Sequence, residues 1–214
     1  MNKTVKLLNN FVFVNKLINR PLAALAVKAL LPTKVTPNQV TVISFFLGIL
    51  GAVFFSLGKP VYFVWGGILV QLSSMVDCLD GMLARAKDEC SAYGAYLDIF
   101  LDRVNEFFII VGYSFGLYRA SADFALFVLA LVASSLYFLH ILLYYITKKL
   151  VGDDSTGGTD EMRALLLFFV CVFGLINRLD WGICVFITST VLVNLYLIVN
   201  FIFLGKKQKK AVMS

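Results

Sequence analysis

The sequence DCLDGMLARAKDECSAYGAYLDIFLDRVNE, residues 77–106, places five acidic side chains inside or beside apolar segments. They are Asp77, Asp80, Asp98, Asp102 and Glu106. Asp77 and Asp80 are three residues apart, and Asp98 and Asp102 are four apart, so each pair shares one face of a helix. A turn within residues 85–91 would fold the two helices against each other. We therefore expect four carboxylates to converge at one end of a helical pair.

The sequence around these acids is that of a membrane protein. Of its 214 residues, 60% are hydrophobic and 15% are charged, whereas soluble domains are about 45–50% apolar. A bilayer-spanning helix needs about 20 apolar residues. Apolar runs of suitable composition cover residues 36–57, 61–75, 93–117, 124–146, 164–176 and 181–204. The sequence therefore predicts an all-α membrane protein with six transmembrane helices, of which the fifth is short.

The segment before the first run predicts an amphipathic helix at the membrane surface. Pro21 suits a first helical position, and Leu22, Leu25 and Ala29 follow with the spacing of one helical face. The chain then divides into three parts. These are a cytoplasmic N-terminal segment with the interfacial helix (1–35), the six-helix membrane domain (36–205) and a basic cytoplasmic tail (206–214).

The distribution of lysine and arginine predicts the orientation in the cell membrane. With six spans, 15 of the 19 basic residues fall in the two terminal segments and in the loops on the same side. The positive-inside rule then places both termini, and the acidic cluster with them, in the cytoplasm. This topology, together with anionic lipid, accounts for the net charge of +6. No loop combines basic and aromatic residues as a nucleic-acid surface would, so we expect no nucleic-acid partner.

Carboxylates within a membrane segment are costly unless they are paired or bind metal. Oxygen-only ligation suits hard divalent ions, and two such ions bridged by acids can neutralise phosphate and activate an oxygen nucleophile. We therefore expect two divalent cations, Mg²⁺ or alternatively Mn²⁺. One alternative is that Arg85 and Arg103 pair with the acids and merely hold the helices together. Another is a divalent-cation transporter, although the acids stop at Glu106 and an apolar run, 107–111, follows.

The acids belong to a longer pattern that includes small residues and an arginine. Gly81, Ala84 and Gly94 leave the backbone open to a ligand, and the guanidinium of Arg85 suits phosphate. The pattern reads Asp77-x2-Asp80-Gly81-x2-Ala84-Arg85-x8-Gly94-x3-Asp98-x3-Asp102. At all eight positions and all spacings it resembles the signature of the CDP-alcohol phosphotransferases, membrane enzymes of phospholipid and polar head-group synthesis. Residues 36–41, TPNQVT, also resemble the segment that opens the first span in that family.

The resemblance implies transfer of a substituted phosphate from a CDP-alcohol donor to the hydroxyl of an acceptor alcohol, with release of CMP. It implies that Asp77, Asp80, Asp98 and Asp102 bind the two cations and that Asp102 also takes the acceptor's proton. The residues that it implies for the cytidine diphosphate pocket are Asp77, Gly81, Ala84, Arg85, Asn38 and Thr41. It further implies a homodimer in contact with membrane lipid. A cytidylyltransferase that makes the donor could be a partner or a fused domain.

The acceptor is less well defined by the sequence. Arg103, directly after Asp102, resembles the arginine at this position in the branch of the family that uses inositol phosphate. In the glycerophosphate branch, lysine is usual at this position. Thr159-Asp160-x-x-Arg163 partly resembles the inositol-type Ser-Arg-Asp-x-x-Arg, with threonine in place of the first arginine. The candidate acceptor-binding residues are Arg103, Glu106, Lys148 and Arg163. Glu106 could bind an acceptor hydroxyl or pair with Arg103. The alternatives are a phosphatidylglycerophosphate-type or phosphatidylserine-type synthase.

Overall fold

The computed structural model describes residues 15–151 and 157–212, and within these ranges it contains helices and no strand. A short π-helical segment, Asn15–Asn19, leads into the first α-helix. The α-helices are α1 (Arg20–Leu30), α2 (Pro37–Ser56), α3 (Pro60–Ala86), α4 (Ala92–Ser121), α5 (Phe124–Val151), α6 (Gly157–Leu175) and α7 (Leu179–Val212). The predicted all-α class is therefore confirmed.

Several helices extend beyond their apolar runs. Helix α3 continues through the signature acids to Ala86, in agreement with the turn predicted within residues 85–91, and α7 continues to Val212, into the segment predicted as a basic tail. Helix α6 begins at Gly157, before the apolar run that starts at residue 164. Residues 152–156 lie outside the described part of the chain.

Within the described residues, three helices are long and apolar enough to cross a bilayer: α2, α3 and the part of α5 from Phe124 to Leu143. Shorter apolar stretches cover Arg163–Leu175 in α6 and Leu179–Leu192 in α7. Helix α4 is 30 residues long but carries two of the signature acids, Asp98 and Asp102, within its first half. The apolar helices are those of a multi-pass membrane protein.

Helices α2 and α4 begin at defined caps. The Thr36 side chain accepts a hydrogen bond from the Gln39 N–H, and the Gln39 side chain accepts one from the Thr36 N–H. This capping box satisfies two otherwise free amides and starts α2 at Pro37. The Ser91 hydroxyl accepts from the Gly94 N–H at 3.0 Å and starts α4. The caps therefore fix the residues at which α2 and α4 begin.

Helices α2 and α4 approach each other closely because glycines line their contact. A Cβ atom at Gly112 would collide with the carbonyl oxygen of Ala52, and one at Gly116 would collide with that of Phe55. Such small-residue contacts let membrane helices pack through their backbones. Around them, a buried apolar cluster includes Phe55, Val70, Ile109, Tyr113, Leu167 and Ile183, contributed by α2, α3, α4, α6 and α7.

Helix α1 packs on the outside of this bundle. Its buried residues Ala23 and Val27 contact an apolar cluster that includes Leu79 and Leu83 of α3. Leu22 and Leu25 are 48% and 66% exposed and point away from it. The helix therefore presents one apolar face to the protein and leaves leucines on another.

Polar contacts also secure the chain before α1. Asn19 is fully buried. Its side-chain nitrogen, Nδ2, donates to Asn15 Oδ1 at 2.9 Å and to the Ser74 hydroxyl at 3.1 Å. Gln71 donates to the Asn19 side-chain oxygen at 2.9 Å. Since buried amides need such partners, this network fixes the N-terminal segment to α3.

Replacing Gly112 with alanine should destabilise the protein, since the added methyl group meets a backbone carbonyl that cannot move aside. Overpacking of this kind costs about 1–3 kcal/mol. Gly81→Ala is the matched control, because its Cβ would meet Arg85 at an ordinary 3.5 Å. Thermal unfolding in detergent should give a lower midpoint for Gly112→Ala alone. Equal midpoints for the two variants would contradict the close α2–α4 packing.

Candidate active site

The acidic residues of the signature converge where α3 ends and α4 begins. One carboxylate oxygen from each of Asp77, Asp98 and Asp102 lies within 4.8 Å of the others. All three residues are half-buried. Asp80 is buried and lies outside this group of three, with its Oδ2 accepting a hydrogen bond from the Thr41 hydroxyl at 2.5 Å. Three of the four carboxylates predicted to converge are therefore found together, and Asp80 is held by Thr41 instead.

Arg163 of α6 lies among these acids. Its Nη1 is 2.7 Å from Asp77 Oδ2, and its Nη2 is 2.6 Å from Asp102 Oδ1. Its Nε is 3.1 Å from Glu106 Oε1. Arg163 is 5% exposed. The sequence proposed Arg163 for the acceptor and did not predict that one guanidinium would contact three carboxylates from two helices.

Glu106 is 1% exposed and lies one turn deeper than Asp102. Its Oε2 accepts a hydrogen bond from Arg103 Nη1 at 2.7 Å, and the side chain of buried Tyr137 on α5 lies beside the same carboxylate. Of the two roles considered for Glu106, pairing with Arg103 is therefore the one found. Tyr137 was missed because nothing near it in the sequence marks it apart from the other aromatic residues.

Of the two arginines that the sequence suggested as partners of the acids, Arg103 forms such a pair in the described structure and Arg85 does not. Arg85 is exposed and forms no salt bridge with any residue in the described ranges, 15–151 and 157–212. It lies over Gly81, whose missing side chain leaves room beside the guanidinium. The alternative in which Arg85 neutralises the acids is therefore wrong. Arg103 does form such a pair, with Glu106.

The other residues suggested for the donor lie at the same end of the helices. Thr41 is hydrogen-bonded to Asp80, as described above. Asn38 lies beside Gly94, where a Cβ would be 3.0 Å from the Asn38 side-chain oxygen. Ala84 is half-buried on α3, one turn beyond Asp80. The start of α2 therefore borders the acidic cluster. Lys148 falls within α5, but its side chain lies outside the described part of the structure.

The chain belongs to the CDP-alcohol phosphatidyltransferase family, whose sequence profile matches residues 34–203. This match confirms the family predicted from the signature and the expected enzyme class, a transferase. It also decides against the divalent-cation transporter.

Relatives of known name support the same family. A bifunctional IPC transferase and DIPP synthase of Aquifex aeolicus is 31% identical over 205 residues, which are 92% of this chain and 45% of that protein. An archaetidylinositol phosphate synthase of Pyrococcus horikoshii is 33% identical over 99 residues, which are 46% of this chain and 50% of that protein. The chain thus spans about half the length of these curated relatives, or less.

Solved structures share the fold. A phosphatidylinositol phosphate synthase (PgsA1) of Mycobacterium tuberculosis with CDP-DAG bound superposes with a TM-score of 0.64 at 21% identity, covering 86% of this chain and 92% of that chain. The same protein in complex with manganese and citrate gives a TM-score of 0.65 at 20% identity, over 83% and 88%. At this identity, the likeness establishes the fold.

Removing the Glu106 carboxylate should destabilise the protein strongly, since two arginine side chains would lose a buried partner. Breaking a buried pair costs about 3–5 kcal/mol. We expect Glu106→Ala to unfold at a clearly lower temperature in detergent. Asp180→Ala is the control, because Asp180 pairs with Arg178 at the surface, where a pair contributes about 0–1 kcal/mol. Similar midpoints for the two variants would show that Glu106 is not a buried charge partner.

Proposed function

We propose that the protein is a CDP-alcohol phosphotransferase that uses an inositol phosphate as acceptor. In the reaction, the acceptor oxygen forms a bond to the phosphorus of the substituted phosphate. The bond from that phosphorus to the CMP oxygen breaks, and CMP leaves. The hydroxyl proton passes to a carboxylate of the protein. The observation that carries this proposal is the group of three carboxylates within 4.8 Å of one another at the eight-residue signature.

The residues of the cluster fit divalent cations. Their donors are carboxylate oxygens, which hard ions such as Mg²⁺ and Mn²⁺ prefer. Asp77 Oδ1 is buried and has no hydrogen-bond partner among the described residues, and a cation would satisfy it. We assign two cations to Asp77, Asp80, Asp98 and Asp102. When bound, the ions would neutralise the diphosphate and acidify the attacking hydroxyl.

Side chains of the protein would then accept the proton and bind the donor. Asp102, at the edge of the cluster, would receive the acceptor's proton, as a general base must lie within hydrogen-bond reach of it. Arg85, exposed and without a carboxylate partner, would hold the donor diphosphate. The other groups assigned to the cytidine diphosphate are Asp77, Gly81, Ala84, Asn38 and Thr41.

The acceptor phosphate requires positive charge beside the cluster. Arg103 and Arg163 meet there on the buried carboxylate of Glu106, and guanidinium groups bind phosphate well. We assign these three residues to the acceptor site, with Lys148 as a further candidate. Inositol phosphate is favoured by Arg103 after Asp102 and by the relatives named for inositol phosphate products.

We also propose the membrane arrangement. Helices α2 to α7 would be six spans within a membrane domain of residues 36–205, and α1 would lie at the interface with Leu22 and Leu25 in lipid. Both termini, including the segments 1–35 and 206–214, would face the cytoplasm together with the active site. The orientation is supported by the positive-inside distribution.

The proposed assembly is a homodimer in the cell membrane. Exposed aromatic side chains on α4, such as Tyr96, Phe100 and Phe107, form an apolar surface that lipid or a second copy can cover. A cytidylyltransferase that supplies the CDP-alcohol is proposed as a partner or as a domain of the same protein. The word bifunctional in the names of several relatives supports this assignment.

Purified protein should release CMP from a CDP-alcohol only when an acceptor is present. The panel pairs several CDP-alcohols with inositol phosphate, inositol, glycerol phosphate and serine, and inositol phosphate is expected to be used. Asp102→Asn should lower the rate by about 10²-fold or more, the usual contribution of a general base. Asp180→Asn, in the first turn of α7, should keep the rate. Activity with glycerol phosphate or serine alone would reassign the acceptor, and no CMP release from any pair would overturn the proposed reaction.

The activity should also depend on divalent cations. Treatment with a chelator should abolish CMP release, and Mg²⁺ or Mn²⁺ should restore it, because carboxylate ligands bind these hard ions. Ca²⁺, which prefers more ligands and longer distances, should restore it poorly. Full activity in excess chelator would contradict the assignment of Asp77, Asp80, Asp98 and Asp102.

Cys90 offers a direct test of the orientation. It is exposed between α3 and α4, on the side proposed to face the cytoplasm. A membrane-impermeant maleimide should label Cys90 in inverted vesicles but not in intact cells. In Cys90→Ser this labelling should disappear from inverted vesicles. Labelling of Cys90 from outside intact cells would reverse the topology.

A further inference from the structure

Arg163 uses each side of its guanidinium differently. The two Nη atoms contact Asp77 and Asp102 at 2.7 and 2.6 Å, whereas Nε contacts Glu106 at 3.1 Å. Arg163 approaches from α6, while these acids lie on α3 and α4. One side chain therefore connects three helices through its charge.

Two of these contacts use carboxylates of the group that could hold a metal ion. Asp77 and Asp102 belong to the three acids whose oxygens lie within 4.8 Å of one another. A guanidinium and a divalent cation are both attracted to the same carboxylates, and they repel each other at such short range. Binding of Arg163 to these two acids and binding of cations to them must therefore oppose each other.

The third contact can persist when the other two are lost. Glu106 is outside the group of three acids, and it is held on its other side by Arg103 at 2.7 Å. Glu106 would therefore keep the Arg163 guanidinium beside the cluster when Asp77 and Asp102 bind cations. The Nη atoms, released from those acids, would then present their N–H groups to an anion.

We propose that Arg163 is shared between the carboxylate cluster and the acceptor phosphate, so that cation loading makes its guanidinium available to the acceptor. Glu106 is the positioning residue that retains Arg163 at the site in both arrangements. This inference rests on the proposed function, since it assumes that cations bind the cluster. It predicts that cations and a phosphate anion favour each other's binding through Arg163, as coupled ligands do.

Mn²⁺ binding without substrates tests the first half of this inference. Free Mn²⁺ is measured by its paramagnetic resonance signal, with the 214-residue chain in detergent. Arg163→Met removes the competing charge, so Mn²⁺ should bind about fivefold more tightly or better, the lower range of ordinary coupling between sites. Arg163→Lys keeps the positive charge, so its Mn²⁺ affinity should lie between those of the unmodified protein and Arg163→Met. Arg178→Met is the control, because Arg178 pairs with Asp180 and contacts no acid of the cluster.

Unchanged or weaker Mn²⁺ binding in both Arg163 variants would overturn the inference while leaving the proposed function intact. Absence of Mn²⁺ binding by the unmodified protein would overturn the proposed function as well. Because Arg163→Met could fold poorly, its unfolding midpoint is measured with and without Mn²⁺. Mn²⁺ should raise that midpoint more than it raises the midpoint of the unmodified protein.

Inorganic phosphate tests the second half. Adding it should tighten Mn²⁺ binding to the unmodified protein, and this tightening should be smaller in Arg163→Met, which retains only direct contact between phosphate and Mn²⁺. Glu106→Gln keeps the shape of the side chain but weakens its hold on Arg163, so it should also reduce the effect. Equal tightening in the unmodified protein and both variants would contradict the shared role of Arg163.

Discussion

The structure depends on balancing negative charge among membrane helices. Five acidic side chains gather where α3 and α4 meet, and in the described structure Arg103 and Arg163 are the basic side chains paired with them. Two arginines cannot match the charge of five acids, all of which are buried or half-buried. Carboxylates so placed demand cations, and two divalent ions would supply four positive charges. The need for this charge is the physical reason to regard the cluster as a metal centre.

The rest of the fold serves to hold those acids together. Glycines between α2 and α4 allow a close approach that side chains would prevent, and the caps at Thr36 and Ser91 start these helices at the level of the cluster. Helix α6 closes the third side and inserts Arg163. The buried network around Asn19 and Ser74 joins the N-terminal segment to α3. The packing of the helices thus sets the positions of the carboxylates, and a shift of one helix by one turn would separate them.

The sequence predicted much of this arrangement because the relevant signals are local. The spacing of Asp77, Asp80, Asp98 and Asp102 fixes their faces on two helices, and the Thr36-Pro37 pair marks the start of another. Long-range contacts were not predictable in the same way. Nothing local indicates that Arg163, more than 50 residues from Asp102 along the chain, enters the cluster, or that Tyr137 reaches Glu106. Arg85 was a plausible partner by proximity in sequence, yet its position on α3 directs it outward.

The most direct test of the metal centre is a crystal structure of the protein grown with Mn²⁺, with diffraction recorded at the manganese absorption edge. The account predicts anomalous peaks within bonding distance of Asp77, Asp98 and Asp102, with Arg163 turned away from Asp77 and Asp102 and still in contact with Glu106. Absence of anomalous density at these carboxylates, at Mn²⁺ concentrations that support CMP release, would contradict the account.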